Sequence, residues 1–218
     1  MTKLHIFDMN GTLLNINSNV SWKEFLVKQQ LAPESALRLA EEYNNDYNAG
    51  KLDCEKFAAF QFEEFAHKDK PAIAKLAVAH FEEYIKPAVR QTAFDYVKKL
   101  IRNGESVAMI TTANAIVAAT VALHFGITDF IASEPAMKWD TFTGEPAGTF
   151  PAQYGKIFHI GRLCERYNIC AADVAFYADS INDIPLLETV GTPVAVNPDA
   201  ALREHAVSAA WQIMDWTV

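Results

Sequence analysis

"LHIFDMNGTLL", from Leu4 to Leu14, decides how the rest of the chain is read. A short, largely apolar run ends at Asp8, a Gly-Thr pair turns the chain, and apolar residues resume. A run of this length bounded by a turn signal predicts a buried strand. Such a strand delivers a carboxylate to the edge of a sheet, where ligands of open α/β folds bind. Asn10 is out of place there: an amide stands where chemistry built on carboxylates calls for a second acid.

The chain has 218 residues, enough for one large domain or for a core carrying an insertion. Half of them are hydrophobic and 21% are charged, as in an ordinary globular protein. A net charge of -8 argues against nucleic acid or an anionic membrane as partner. An anionic substrate then needs a metal ion or local cations. No run approaches the roughly 18 apolar residues of a membrane span. The first residues lack the ordered regions of a signal peptide, so the expected compartment is the cytoplasm. Cys54, Cys164 and Cys170 have no CxxC spacing and read as reduced structural thiols. The six histidines form no metal-spaced cluster.

From Ser21 to about Lys86 the texture is helical, with aromatics three and four residues apart. Ser21 with Glu24 reads as a capping box, Pro33 and Pro71 as first-turn residues, and Gly50 as a helix end. After Pro87 strands and helices alternate: "SVAMI", "DVAFYA" and "PVAVN" are the clearest strands. The stretch "FIASEPAMKWDTFTGEPAG" reads as a short strand and a hairpin, whose tip at Trp139 to Gly144 suits either a flap or an exposed turn. Alternating units of this kind predict a parallel sheet covered on both faces. The expected organisation is an α/β core of residues 1–16 and 87–218, with a helical insertion at 17–86.

The residues that follow each strand form one constellation. Asp8 follows the first, Thr111 and Thr112 follow "VAMI", and Asp179, Ser180, Asn182 and Asp183 follow "VAFYA". Lys156 opens the helix before that last strand. Three clustered carboxylates repel unless a cation neutralises them. Mg2+ accepts oxygen ligands and keeps positions open for water and phosphate. Asp8 is then a candidate nucleophile as well as a ligand, with Thr111 and Lys156 on the phosphoryl oxygens.

With these positions in hand, "DMNGT" resembles the D-x-D-[GST]-T signature of the haloacid dehalogenase (HAD) superfamily with one substitution. Thr111, Lys156 and "DSIND" fall where its later motifs are expected. The insertion and the tail "YADSINDIPLLETVGTPVAVNPDAALREHA" are similar to the type IB subfamily that contains phosphoserine phosphatases. The resemblance implies a Rossmann-like core with a parallel sheet flanked by helices, and a small helical-bundle cap. It implies a phosphatase acting on a small phosphorylated metabolite through an aspartyl-phosphate on Asp8. Mg2+ would be held by Asp8, the Asn10 backbone carbonyl and Asp179, supported by Asp183. Gly11, Thr12, Thr111, Thr112, Lys156 and Asn182 would surround the phosphate.

At position 10 the family carries the Asp that protonates the leaving oxygen and then activates water. An amide of nearly the same size does neither. The leading reading is an isosteric inactivation made to trap a complex; a natural phosphoester-binding protein, or chemistry that needs no proton, are the others. Phosphoserine phosphatases carry an early cap Glu for the substrate ammonium. Here Asn15, Asn17 and Ser18 stand there, with no acid before Glu24, which disfavours phosphoserine. Trp22, Phe25, Phe57, Phe60, Phe62 and Phe65 read first as the cap's own core, and second as a pocket for an apolar or cationic group.

Overall fold

The computed structural model describes residues 3–152 and 154–218. All four residues of β1 (Leu4–Phe7) are buried. They alternate as the strand period requires: Leu4 and Ile6 join one apolar cluster, Phe7 the other. Burial on both faces explains why so short a run is nearly all apolar.

Four helices follow: α1 (Ser18–Lys28), α2 (Glu34–Asn48), α3 (Cys54–Phe60) and α4 (Lys70–His80). The first helix begins earlier than the Ser21 capping box implies. Asn17 is its N-cap, accepting from the backbone N–H of Asn19 at 3.0 Å and of Val20 at 3.4 Å. Ser21 instead meets His80 Nε2 at 2.9 Å. Both residues suit a cap chemically; the Asn17 amide wins because it also ties α1 to α2 through Asn44 Oδ1, at 2.6 Å. Pro71 lies in the first turn of α4, while Pro33 is the N-cap residue of α2.

The remaining order is α5 (Gln91–Arg102), β2 (Ser106–Asn114), α6 (Ala115–Phe125), β3 (Asp129–Lys138), β4 (Thr141–Ala147), α7 (Tyr154–Tyr167), β5 (Val174–Ala178), α8 (Ile184–Leu187), β6 (Thr192–Val196), α9 (Ala200–Ser208) and β7 (Gln212–Met214). The seven strands form one sheet in the order β4-β3-β2-β1-β5-β6-β7. All neighbours are parallel except β3 and β4. This is the expected doubly covered, Rossmann-like α/β core. Its antiparallel edge is the hairpin, with Trp139 at the tip and 90% exposed.

One face of the sheet packs Phe7, Met109 and Tyr177 against Val97 and Phe125. The other packs Ile6, Ile110 and Phe176 against Ile160, Leu187 and Leu202. The helical segment has a cluster around Trp22, Phe25, Phe62 and Phe65, completed by Val117 of α6 and Phe142 of β4. A second cluster holds Phe57 and Phe60 with Ala36 and Ala40. All six aromatics thus pack in these clusters; Phe60 also carries the Lys23 ammonium over its ring at 3.9 Å, and Phe57 also lines the cavity described below.

Candidate active site

Asp8 lies one residue beyond β1, at the carboxyl end of the strand with β2 and β5 on either side. Its N–H donates to Tyr177 O at 2.9 Å, which continues the ladder and fixes where the side chain starts. Lys156, in the first turn of α7 and 1% exposed, reaches Asp8 Oδ1 at 2.8 Å and Asp183 Oδ1 at 2.7 Å. One buried ammonium is therefore shared by two carboxylates far apart in the chain, Asp8 after β1 and Asp183 after β5.

 Burial opposes the charge on Lys156, yet Asp183 and Asp8 outweigh it and raise its pKa well above the ordinary lysine value. Burial also lifts Asp8 to about 6, with Lys156 pulling it down and Asp183 pushing it up.

Asp179 follows β5. Burial, then the charges of Asp8 and Asp183, raises its carboxyl well above the usual range. Thr12 donates to its Oδ1 at 3.1 Å, and Asp199 N–H donates to its backbone oxygen at 2.8 Å. Gly11 makes this approach possible. Its φ is +78°, and a Cβ there would sit 2.0 Å from Asp179 Oδ2.

Thr111, expected to follow its strand, lies inside β2, which continues to Asn114; it is buried, its hydroxyl oxygen accepting from Ala113 N–H at 3.1 Å. The backbone oxygen of Thr112 accepts from Gln61 at 2.8 Å. Asn182, expected at the phosphate, instead donates to the Tyr47 carbonyl of α2 at 2.7 Å. The Thr12 hydroxyl is likewise committed to Asp179. Gln61 and Asn182 thus fasten the helical segment to two strand ends.

The donor set suits a hard divalent cation. Asp183 Oδ2 is buried with no hydrogen-bond partner among the described residues, and the single Lys156 ammonium bridges two carboxylates with a third, Asp179, beside them. Among the described residues no three His, Cys, Asp or Glu side chains are grouped to hold one ion. A site here would therefore combine Asp8 and Asp179 with backbone oxygen and water, which Mg2+ accepts.

Asn10 faces the same cavity as Asp8. Its Oδ1 accepts from Ser18 N–H, the first residue of α1, at 3.0 Å. An N–H can only meet the amide oxygen, so the NH2 is the end left for the cavity. The cleft holds about 490 Å³ with its open mouth included, and is lined by Asp8, Asp179, Thr112 and the helical segment's Asn17, Asn19 and Asn44. Tyr43, Tyr47 and Phe57 complete the far wall. Burial, followed by the Asp183 charge, raises the Tyr47 phenol, which keeps it protonated.

Sequence reading did not single out Tyr43, Asn44, Tyr47 or Asn19. A signal was present for three of them: positions 40, 43, 44 and 47 share one face of a helix. That face carries Ala, Tyr, Asn and Tyr, too mixed to read as either core or surface.

The profile of the haloacid dehalogenase-like hydrolases matches residues 6–188. A histidinol-phosphatase of Neisseria meningitidis serogroup C (strain 8013) is 32% identical over 221 residues, covering 99% of this chain and 100% of the relative. A phosphoserine phosphatase of Mycobacterium tuberculosis (strain ATCC 25618 / H37Rv) is 28% identical over 233 residues, covering 100% of this chain and 72% of its own. Among solved structures, a protein of unknown function from Bordetella pertussis Tohama I superposes with a TM-score of 0.89 at 31% identity, covering 99% of both chains. A substrate-bound phosphoserine phosphatase shares the fold, with a TM-score of 0.72 at 18% identity over 98% of this chain and 93% of that one.

Proposed function

This chain belongs to the haloacid dehalogenase-like hydrolases, and we propose that it is a Mg2+-dependent phosphomonoester hydrolase slowed by its amide at position 10. The observation that carries the reading is the buried Asp8–Lys156–Asp183 bridge, whose Asp8 lines a cleft together with Asp179. The names of the meningococcal and mycobacterial relatives support phosphate monoesters as substrates. The substrate is then a small phosphorylated metabolite, in keeping with a cytoplasmic enzyme. Residues 17–86 act as a cap over the core of 1–16 and 87–218.

Lys156 holds Asp8 Oδ1, which leaves Oδ2 to attack phosphorus and form the aspartyl-phosphate. Mg2+, held by Asp8, the Asn10 carbonyl and Asp179 with Asp183 in support, would neutralise charge on the phosphoryl oxygens. Thr111 and Lys156 orient the phosphoryl group, with Gly11 and Thr112 beside it. Thr12 and Asn182 act one step removed, by holding Asp179 and the cap. As the P–O bond to the leaving group breaks, the Asn10 NH2 hydrogen-bonds the departing oxygen, which takes its proton from water. The amide cannot deprotonate the water that later cleaves the aspartyl-phosphate, which gives its proton to solvent, so both steps are slow. Loss of a general acid–base costs ~10²–10⁴ in rate, about 3–5.5 kcal/mol of barrier.

Asn10 is one of four asparagines lining the same cleft. A single trapping substitution does not account for the other three, so we read the amide as the chain's own. The amide also favours a second reading, in which the site binds or passes on a phosphoryl group without hydrolysing it.

Asn10→Asp decides between them. An aspartate keeps an oxygen for Ser18 N–H and restores the proton path. With Mg2+ and a panel of phosphomonoesters that includes histidinol phosphate and phosphoserine, the variant is expected to release phosphate at least ~10²-fold faster than the parent. If both proteins stay inert and neither takes phosphate onto Asp8, the binding reading replaces this one. A peptide map of the parent, showing only the amide at Asn10-Gly11, excludes deamidation as a source of background turnover.

A further inference from the structure

We propose that the leaving-group side of this cleft is built for an uncharged, hydroxyl-rich group, so that the substrate is the phosphate ester of a polyol or sugar. The inference rests on the phosphatase reading of the site and names its substrate class. Two contiguous cavities share Asn10, Asn17, Asn44, Tyr47 and Asp179 as walls. Across both, the amides of Asn10, Asn15, Asn17, Asn19, Asn44 and Asn48 form the lining. Among the described lining residues the only charged ones are Asp8 and Asp179, both on the phosphate side.

The hydrogen bonds already made decide what these amides offer. Asn10 Oδ1 is taken by Ser18 N–H, and Asn15 Oδ1 by Arg90 Nη2 at 2.8 Å. Asn44 Oδ1 is taken by Asn17 Nδ2 at 2.6 Å. Each of Asn10, Asn15 and Asn44 therefore has its NH2, a donor, left to offer. Asn19 Oδ1 is a buried oxygen with no partner among the described residues, so an acceptor is offered as well. The hydroxyls of Tyr43, Tyr47 and Thr112 add groups that both give and accept.

An ammonium only donates. It would face the donors of Asn10, Asn15 and Asn44, with acceptors only in the Asn19 oxygen, neutral hydroxyls and amide oxygens, and no carboxylate on the cap side to offset its desolvation. A second anionic group only accepts, and it would lie near Asp8 and Asp179 without a free cation. Arg90 supplies none, because its guanidinium is spent on Gly11 O, Trp216 O and Asn15 Oδ1 at 3.3, 3.0 and 2.8 Å. A hydroxyl both donates and accepts, and it satisfies every position without burying charge. Tyr43, Tyr47 and Phe57 give the C–H faces of such a group an apolar wall.

The test is calorimetric binding to the full chain with Mg2+ present, using glucose phosphate, glycerol phosphate, phosphoethanolamine, histidinol phosphate and inorganic phosphate. At least one hydroxylated ester is expected to bind about tenfold more tightly than either amine ester, the worth of one or two well-made hydrogen bonds. Asn44→Asp keeps an oxygen for Asn17 Nδ2 and adds the missing charge, so it should reverse the ranking toward phosphoethanolamine. Asn48→Asp, on the exposed end of the same helix, makes the same change if the first variant misfolds. The inference is overturned if an amine ester binds the parent best, if no ester exceeds inorganic phosphate, or if the folded acidic variant keeps the parental ranking. Failure of the phosphatase reading itself looks different: neither inorganic phosphate nor any ester binds, and Asn10→Asp releases no phosphate.

Discussion

Lys156 divides one buried ammonium between Asp8 and Asp183, and its removal gives a direct readout of what that sharing is worth. Lys156→Met keeps the volume of the stem but leaves two buried carboxylates facing each other. Breaking one side of a buried ion pair costs about 3–5 kcal/mol, so the metal-free variant should unfold at a clearly lower denaturant concentration at pH 7. An unchanged midpoint would mean that this cation does not hold the two carboxylates. Asn10 was legible in the sequence as a departure from its surroundings. The direction of its amide was not, because that depends on Ser18 N–H, brought close by the start of α1. Gly11 is a similar case: "NGT" signals a turn, whereas the reason for glycine is the Asp179 carboxylate that packs where a Cβ would stand.

At the scale of elements, the helical segment shows where local signals stop. Its helices were legible from aromatic spacing, while the start of α1 was misplaced by four residues because Ser21 has a partner outside its own helix. That partner, His80, ends α4 among the rings of Trp22, Phe25 and Tyr84. Burial pushes its pKa down to about 4 from 6.5. The unfolded chain therefore takes up a proton first as pH falls, and stability is lost between pH 6.5 and about 4, with no further loss below. His80→Gln retains a partner for Ser21 but does not titrate. Across that window the parent should lose roughly 3 kcal/mol relative to this variant. Comparing the two cancels the opposite contribution of Asp8, whose pKa is raised. Parallel stability profiles would remove His80 as the origin of acid sensitivity in the helical segment.

For the whole molecule, the sheet order places β1 between β2 and β5, so three loops distant in sequence open at one edge. Mg2+, if bound there as proposed, would stabilise only the folded state. At a hundred times its dissociation constant it should add about 2.7 kcal/mol to unfolding, and Asp179→Asn should abolish most of that gain. A shift of equal size in the variant would place the ion elsewhere. The short strand β7 gave no sequence signal of its own; it forms by pairing with β6, and Trp216 beyond it packs beside Phe7 and Tyr177. By itself the sequence determined where β1 and β5 end and the carboxylates that follow them, since burial periodicity and turn chemistry act over a few neighbouring residues; it ended β2 at Ile110, whereas that strand runs on to Asn114. It likewise determined that a helical segment interrupts the core. Only the tertiary structure decided that Lys156 is divided between Asp8 and Asp183, that Asn182 and Gln61 fasten the helical segment, and that asparagines from two helices and a loop line one cleft. Those outcomes are competitions among hydrogen-bond partners far apart in the chain, and no local pattern records which partner wins.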